Sequence, residues 1–520
     1  MRKKILKKRD SKSKHVRQQK REIDIIGQRQ EPKRQYQDRE FRAQKRRIKE
    51  NQEEKRTGNR EFAKITYFFV ALFLAMMGYL VYFNIVKSKD IINSPYNVRL
   101  DSMADRVIRG KILDKDGNVL AETKVDEDGT ETRNYPYGNL YAHVVGYDSH
   151  GKSGIESAAN FELLTSNAFF AEKLIKEFQE KKNTGDNVVT TLDTELQQAA
   201  SKALGSYKGA VVVLEVTTGK VLTMVSKPDF DPNTVAENWK SLISDEQSVL
   251  LNRATQGAYA PGSIFKLVTT LAYMRQESDF QDYHYNCESE IEYEGTVIHC
   301  AKNRKHGEQD LRVSLANSCN TSYSNIGLEL NLNRFRAVAE SLLFNKKLPN
   351  ILPYSQSKFQ LDSKSSTSEV MMTAIGQGKT QVSPYHMALL AAGIANGGVI
   401  MEPYLVDRVE SYVGAKIEKT MPKIYAEIMN SKEASQLKEY MKAVVEEGTA
   451  RALKNNDYTV AGKTGTAEYS SDKEKVHSWF MGFTNMDNPE IAISVVIESA
   501  DNSGMSAVTV AKKVLDAYYD

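Results

Sequence analysis

From Ile65 to Val86 the chain runs for 22 positions without a charged residue, between Lys64 and Lys87. At about 1.5 Å per residue a helix of that length reaches roughly 33 Å, enough to cross the hydrocarbon core of a bilayer. The pattern predicts a transmembrane helix over 65–86 rather than a buried core helix. A cleaved signal peptide is not expected, because the leader is long for one and no small-x-small site follows. Beyond it the pattern becomes short and alternating. Arg109–Ala121 alternates apolar and polar residues on either side of Asp116-Gly117, which predicts a β-hairpin, and residues 90–187 read as a small β-rich, membrane-proximal linker domain. From residue 188 the texture changes again. Thr190–Leu204 has apolar residues at helical spacing behind an N-cap, and strands Gly209–Val216 and Lys220–Ser226 follow across Thr217-Thr218-Gly219. The chain end supplies strands Tyr458–Ala467, Ser478–Thr484 and Glu490–Glu498 and a closing helix Ser506–Tyr519. Strands at both ends with helical and loop-rich sequence between them predict an α+β domain over 188–520. Its five-stranded antiparallel sheet is flanked by helices and interrupted by a helical insertion.

Charge sharpens this division. The net charge of +4 conceals 24 Lys+Arg against 10 Asp+Glu in residues 1–64, which leaves 47 against 57 for the remainder. A basic tail precedes an acidic body. The positive-inside tendency places 1–64 in the cytoplasm and the body outside. The tail, poor in aliphatic residues, is expected to be disordered or transiently helical. It is read first as a topology determinant adhering to anionic lipid, then as a dock for a cytoplasmic partner. No nucleic-acid motif accompanies its charge, so no nucleic-acid partner is expected.

Chemistry enters with three short motifs: Ser263-Ile264-Phe265-Lys266, Ser318-Cys319-Asn320 and Lys463-Thr464-Gly465-Thr466. The first alone is weak, because a Ser followed three positions later by Lys also begins at Ser11, Ser149, Ser355, Ser435 and Ser470. Order and surroundings discriminate. A serine hydroxyl needs a base to become a nucleophile, and a lysine one turn on shares its helix face. Lys266 is the candidate base, and Lys463 is a second cation that lowers its pKa. Pro261-Gly262 before Ser263 delivers it to the start of an apolar helix, where the dipole favours a developing oxyanion. No H-E-x-x-H motif, phosphate-cradling glycine loop or dinucleotide fingerprint occurs, and no organic cofactor is expected.

These motifs, with Tyr259–Lys266, Ala210–Lys220, Ala374–Gly378 and Ala395–Gly398, resemble the class B penicillin-binding proteins over roughly residues 90 to 520. The resemblance implies a transpeptidase domain of the penicillin-binding and serine β-lactamase fold, anchored in the cell membrane with the catalytic domain outside. It implies that Ser263 is acylated by a peptidyl-D-Ala-D-Ala stem of peptidoglycan, or by a β-lactam, and that Lys266 takes its proton. Ser318 would relay a proton to the leaving D-Ala, and Asn320 would hold the stem-peptide amide. Lys463, Thr464, Gly465 and Thr466 would form the edge strand that receives substrate, with the N–H groups of Ser263 and Thr466 as oxyanion hole. A polytopic glycan polymerase is the implied partner. The roughly 100-residue linker is shorter than the extended pedestal of many elongation enzymes. Two alternatives share the motifs: a hydrolase of the D,D-carboxypeptidase or β-lactamase kind, and a β-lactam sensor. A sensor carries a cytoplasmic metalloprotease that a 64-residue tail has no room for.

All three cysteines, Cys287, Cys300 and Cys319, fall between the first motif and the end of the second, and His306 lies between them. Three thiolates and an imidazole make a closed set of the kind that holds structural zinc. Some elongation-type class B enzymes are similar, with a metal ligand at the middle position of the second motif. A Cys287–Cys300 disulfide is the alternative in an extracytoplasmic domain, weakened by the odd count, and buried free thiols are a third. His284 and His299 are expected to be packed side chains rather than ligands. Trp479 is read as packing, and Glu447–Ala450 as a helix end and turn, with Glu447 at the border of the cleft.

Overall fold

The computed structural model describes residues 31–87, 104–179, 181–350, 352–454, 457–469, 475–500 and 504–520. Helix α1 (Glu31–Tyr82) runs through the predicted membrane segment and closes in a π-turn at Phe83–Lys87. Its apolar side chains over the stretch Phe62–Tyr82 are not buried by the protein, as suits a helix whose solvent is lipid. Residues 31–64 of the tail are helical, and residues 1–30 lie outside the described residues. Glu, Lys, Arg and Gln are good helix formers, and a helix already present in the apolar half propagates at far lower cost than it nucleates.

The linker contains β1 (Val107–Ile108), β2 (Ile112–Leu113), β3 (Val119–Val125), β4 (Glu131–Asn134), α2 (Phe170–Phe178), β5 (Asn183–Thr184) and β6 (Asn187–Thr190). The Asp-Gly hairpin forms as expected, with β2 antiparallel to β3. Asp114 Oδ1 accepts from the N–H of Asp116 and Asn118 at 2.9 and 2.8 Å, and Gly117 takes the φ of +91° that the turn demands. The predicted boundary near 187 does not separate two sheets. A six-stranded sheet runs β13-β12-β6-β2-β3-β4, in which β12 (Val406–Glu410) and β13 (Lys416–Lys419) come from the catalytic part of the chain.

A buried ion cluster fastens the linker. Glu156, fully buried, accepts from Arg109 Nε at 2.6 Å and from Arg133 Nε at 2.7 Å. Arg133 Nη1 also donates to Gly110 O at 2.7 Å. Burial alone would raise the carboxyl pKa; the two guanidinium groups outweigh it and hold Glu156 below the usual range. Removing one partner of such a cluster strands the others. Glu156→Gln should therefore cost about 3–5 kcal/mol of stability, because two buried cations lose their counter-charge. Calorimetry should show the first unfolding transition moved to lower temperature, and an unchanged trace would refute the clamp.

The catalytic part begins with α3 (Thr194–Leu204), β7 (Gly209–Glu215) and β8 (Val221–Lys227). Helix α3 starts four residues later than expected because Asp193 Oδ1 caps it, accepting from Leu196 N at 3.0 Å, while Thr190 belongs to β6. Next come α4 (Lys266–Gln276), β9 (Tyr285–Cys287), β10 (Glu290–Tyr293), β11 (Thr296–His299), α5 (Asn320–Glu329) and α6 (Pro384–Ala395). After β12 and β13 the chain forms α7 (Ser431–Glu446), β14 (Val460–Glu468), β15 (Val476–Thr484), β16 (Ile491–Ile497) and α8 (Ala507–Tyr519). The predicted five-stranded antiparallel sheet is present in the order β14-β15-β16-β7-β8. Every residue of β16 is buried, as is every residue of α6, so the sheet is covered on both faces. That is why its central strands read as unbroken apolar runs rather than alternations. Strand β14 pairs with β15 over Val460–Glu468 and ends the sheet, so its other edge has no strand partner among the described residues.

Candidate active site

Ser263 stands in a tight turn, Gly262–Phe265, that feeds directly into α4. Gly262 has a φ of +55°, and a Cβ there would stand 2.4 Å from Thr466 O. Only glycine lets the nucleophile's turn press against β14. The Gly262 N–H also donates to Gly376 O at 2.8 Å, which fixes the turn from the other side. The first and third motifs, some 200 residues apart, thereby become neighbours.

Lys266 and Lys463 are both fully buried. Lys266 Nζ donates to Ser318 O at 2.7 Å and Asn320 Oδ1 at 2.8 Å, and lies 3.4 Å from Ser318 Oγ. Lys463 Nζ donates to Ser318 Oγ and Thr464 O, each at 2.9 Å. One hydroxyl oxygen thus joins both lysines. Ser318 reaches it with a φ of +56°, left-handed backbone that a non-glycine residue adopts under constraint. Burial lowers the Lys266 pKa to about 8, although negative charge on Cys319 and Cys300 opposes the shift. Burial, then the charge of Lys266, pushes Lys463 well below the ordinary lysine value. Two ammonium groups cannot both stay charged here without an anion between them.

The sequence placed these residues together, but one expected contact is not made. Among the described residues no hydrogen bond joins Lys266 Nζ to the Ser263 hydroxyl; the amine is committed to the second motif. Catalytic hydrogen bonds of unliganded sites often tighten only with substrate. Thr464 Oγ1 pairs with Thr449 Oγ1 at 2.5 Å, a partner sequence reasoning did not single out. Its signal is weak, because Thr449 sits inside the helix end and turn Glu447–Ala450, where a hydroxyl has many uses; Glu447 pairs instead with Arg312 at 2.7 Å. The ring of Tyr323, another unforeseen member, lies 5.4 Å below Lys266 Nζ. Trp479 is buried as expected, its Nε1 donating to Ala260 O at 3.1 Å.

Behind the second motif the three cysteines and His306 converge. Cys287 closes β9, Cys300 follows β11, and Cys319 is the N-cap of α5. Cys287 Sγ lies 3.7 Å from Cys300 Sγ and 3.4 Å from His306 Nδ1, and Cys300 Sγ lies 3.6 Å from Cys319 Sγ. All four donor atoms fall within 4.8 Å of one another. Tetrahedral zinc with bonds near 2.3 Å sets sulfur–sulfur edges of about 3.8 Å, so the donor set fits that ion. Hydrogen bonds from Cys319 and Thr321 pull the Cys300 thiol toward its thiolate form. His284 and His299 stand outside the cluster, and contrary to expectation they are exposed; His299 lies 3.5 Å from Glu290 across β10 and β11. For His299 the apolar neighbours in sequence misled, because the two-stranded ribbon of β10 and β11 turns alternate residues outward.

Fold and site together define an active-serine acyltransferase: a nucleophile at a helix start, two buried lysines sharing a hydroxyl, and a terminal strand edge beside them. A family profile described as the penicillin binding protein transpeptidase domain matches residues 209–516, and one described as the penicillin binding protein A dimerisation domain matches 109–188. The chain belongs to the penicillin-binding protein transpeptidase family. It is 32% identical to the peptidoglycan D,D-transpeptidase PbpA of Mycolicibacterium smegmatis over 74% of its own length and 82% of that protein's. Against MrdA of Acinetobacter baumannii the identity is 26%, covering 74% of this chain and 66% of the other. Among solved structures, an imipenem acyl-enzyme of penicillin-binding protein A from M. tuberculosis superposes with a TM-score of 0.71 at 28% identity. It covers 79% of this chain and 98% of that one.

Proposed function

We propose that the protein is a membrane-anchored serine D,D-transpeptidase that cross-links peptidoglycan stem peptides and is acylated by β-lactams at Ser263. The observation that carries the reading is the Lys266–Ser318–Lys463 relay beside a terminal strand edge, in a chain whose relatives are D,D-transpeptidases. A stem peptide adds to β14 as a further strand, and its terminal carboxylate supplies the anion that restores the proton of Lys463. Lys266, neutral in roughly a fifth of molecules near pH 7.4 for a pKa about 8, accepts the Ser263 proton. Ser263 Oγ bonds to the penultimate D-Ala carbonyl carbon, and the N–H groups of Ser263 and Thr466 receive the oxyanion. The C–N bond to the terminal D-Ala then breaks, and its nitrogen takes a proton through Ser318 Oγ. The amine of a second stem attacks the acyl carbon and returns Ser263 to its free form. Asn320 holds the stem amide, and Thr464 and Gly465 line the strand.

Orientation follows from the basic tail: residues 1–64 cytoplasmic, linker and catalytic domain outside. A polytopic glycan polymerase, reached through the membrane helix and linker, is the partner this role calls for. Given a donor peptide ending in D-Ala-D-Ala and an amine acceptor, the full chain should divert the acyl group from water to the acceptor. Mass spectrometry would detect the cross-linked product, and D-Ala release without that product would mark a hydrolase instead.

Cys287, Cys300, His306 and Cys319 would hold a structural zinc ion, which supplies no reacting group. Its effect would be mechanical, because Cys319 lies between Ser318 and Asn320. Metal analysis should find one zinc per chain, and chelation should lower the melting temperature and slow penicillin acylation together. A metal-free sample that melts and acylates unchanged would remove the metal from this account.

A further inference from the structure

The third motif is met by a segment that belongs to none of the three. At the C-terminal end of α7 the run Glu447–Ala450 folds back on the helix, the N–H groups of Gly448 and Ala450 donating to Ala443 O and Val444 O at 3.1 and 3.0 Å. The same segment is tied sideways to the short helix Leu311–Ala316, which leads into the second motif. Thr449 N donates to Ala316 O at 3.2 Å, and the Glu447 carboxylate accepts from Arg312 Nη1 and Nη2 at 3.2 and 2.7 Å. It reaches β14 through the hydrogen bond between the hydroxyls of Thr449 and Thr464. Thr449 is thus a hydroxyl fixed to the side of the cleft that carries Ser318 and joined to the side that carries Lys463.

Proton counting gives that bond a use. A hydroxyl has one proton to donate and lone pairs with which to accept. Among the described residues neither Thr449 Oγ1 nor Thr464 Oγ1 has another hydrogen-bond partner, and either can be the donor. An anion beside Thr464 removes that freedom: Thr464 turns its proton to the anion, and Thr449 becomes the donor to Thr464. The Thr464 oxygen then keeps its hydrogen bond while its own proton is spent on the anion, and a hydroxyl that accepts while it donates is the stronger donor. The place suits an anion. Lys463 is buried behind Thr464 with Nζ donating to Ser318 Oγ and Thr464 O, whereas Thr464 and Thr466, on one face of β14, are half-buried and exposed. The terminal carboxylate of an acyl donor lying along β14 therefore meets hydroxyl protons at the rim, with the lysine charge behind them.

We propose that Thr449 is a positioning residue for anion recognition: acting through Thr464, it sets the preference of the site for acyl donors that end in a carboxylate. The proposal rests on the transpeptidase reading given above and adds to it a residue outside the three motifs. The test uses the full chain and benzylpenicillin with and without its anion, as the carboxylate and as the methyl ester. Thr449→Val keeps the shape of the side chain and removes the hydroxyl. It should lower the acylation efficiency of the carboxylate about five- to tenfold, by raising the concentration that gives half the maximal rate rather than by lowering the rate at saturation. The ratio of carboxylate to ester efficiency should fall by the same factor. Thr449→Ser, which keeps the hydroxyl, should restore both, and in a Thr464→Val background Thr449→Val should cost no more than about twofold. Equal losses with carboxylate and ester would make Thr449 an architectural residue and overturn the proposal. So would a loss that persists in full without the Thr464 hydroxyl, or no loss at all with the carboxylate. A wild type that forms no penicillin adduct would instead overturn the assigned reaction, and this inference with it, so the two failures are read from different samples.

Discussion

Ser263→Ala should abolish the covalent penicillin adduct of the full-length protein while leaving the fold intact. Intact-mass measurement over hours is the readout: wild type gains the mass of one antibiotic molecule, and the variant gains none. The expected loss in acylation rate is at least about 10⁴-fold, because the bond-forming oxygen itself is gone and binding alone supplies what remains. Structural damage should be slight. Ser263 is only half-buried, its turn is fixed by the backbone of Gly262 against Gly376 and Thr466, and none of those contacts uses the hydroxyl. An adduct surviving in the variant would move the nucleophile elsewhere and end the proposed mechanism. Persistence of the wild-type adduct also separates a transpeptidase, which waits for an amine, from a β-lactamase, which does not.

Replacement of the base comes second in size. Lys266→Met keeps an apolar chain of similar length in a fully buried slot and removes only the amine. It should slow acylation by about 10³- to 10⁴-fold, the range proton transfer and its loss from a coupled site command. The pH profile supplies an independent check. With the Lys266 pKa lowered to about 8, the neutral, proton-accepting form grows as pH rises. Wild-type acylation should therefore climb by about tenfold per unit below pH 8 and flatten above it, and the variant's residual rate should lack that limb. A profile without a limb near 8 in wild type would remove Lys266 as the base even if the variant were slow.

The sheet was legible in the sequence because its strands are covered on both faces and so appear as apolar runs, Ala210–Leu214 and Ile491–Ile497 above all. The three motifs were legible because their chemistry fixes residue types at short range. What escaped depended on distance along the chain. Glu156 meets Arg109 across 47 residues, and nothing local to either announces the pairing. The sheet that joins linker to catalytic domain needs β12, more than 200 residues after β6, and the helix-and-strand pattern that begins near residue 188 does not announce that pairing. Thr449 was passed over because a hydroxyl in a turn has many uses. Lys266 was expected to face Ser263 from helical spacing, yet its amine lies with Ser318 and Asn320, because burial makes the strongest available acceptors decide where a buried ammonium points.

The terminal edge of β14 carries a cost for the cell as well as a use. Proteins ordinarily guard a terminal strand with outward lysines, prolines or a covering loop, because a bare ladder of N–H and C=O groups will pair with any extended chain that reaches it. Here Lys463 turns inward, fully buried, and Gly465 and Thr466 offer no charge at the rim. Guarding the edge would also shut out the stem peptide. The strand that receives substrate is therefore also the one where the general liability of a terminal strand, pairing with the wrong extended chain, falls.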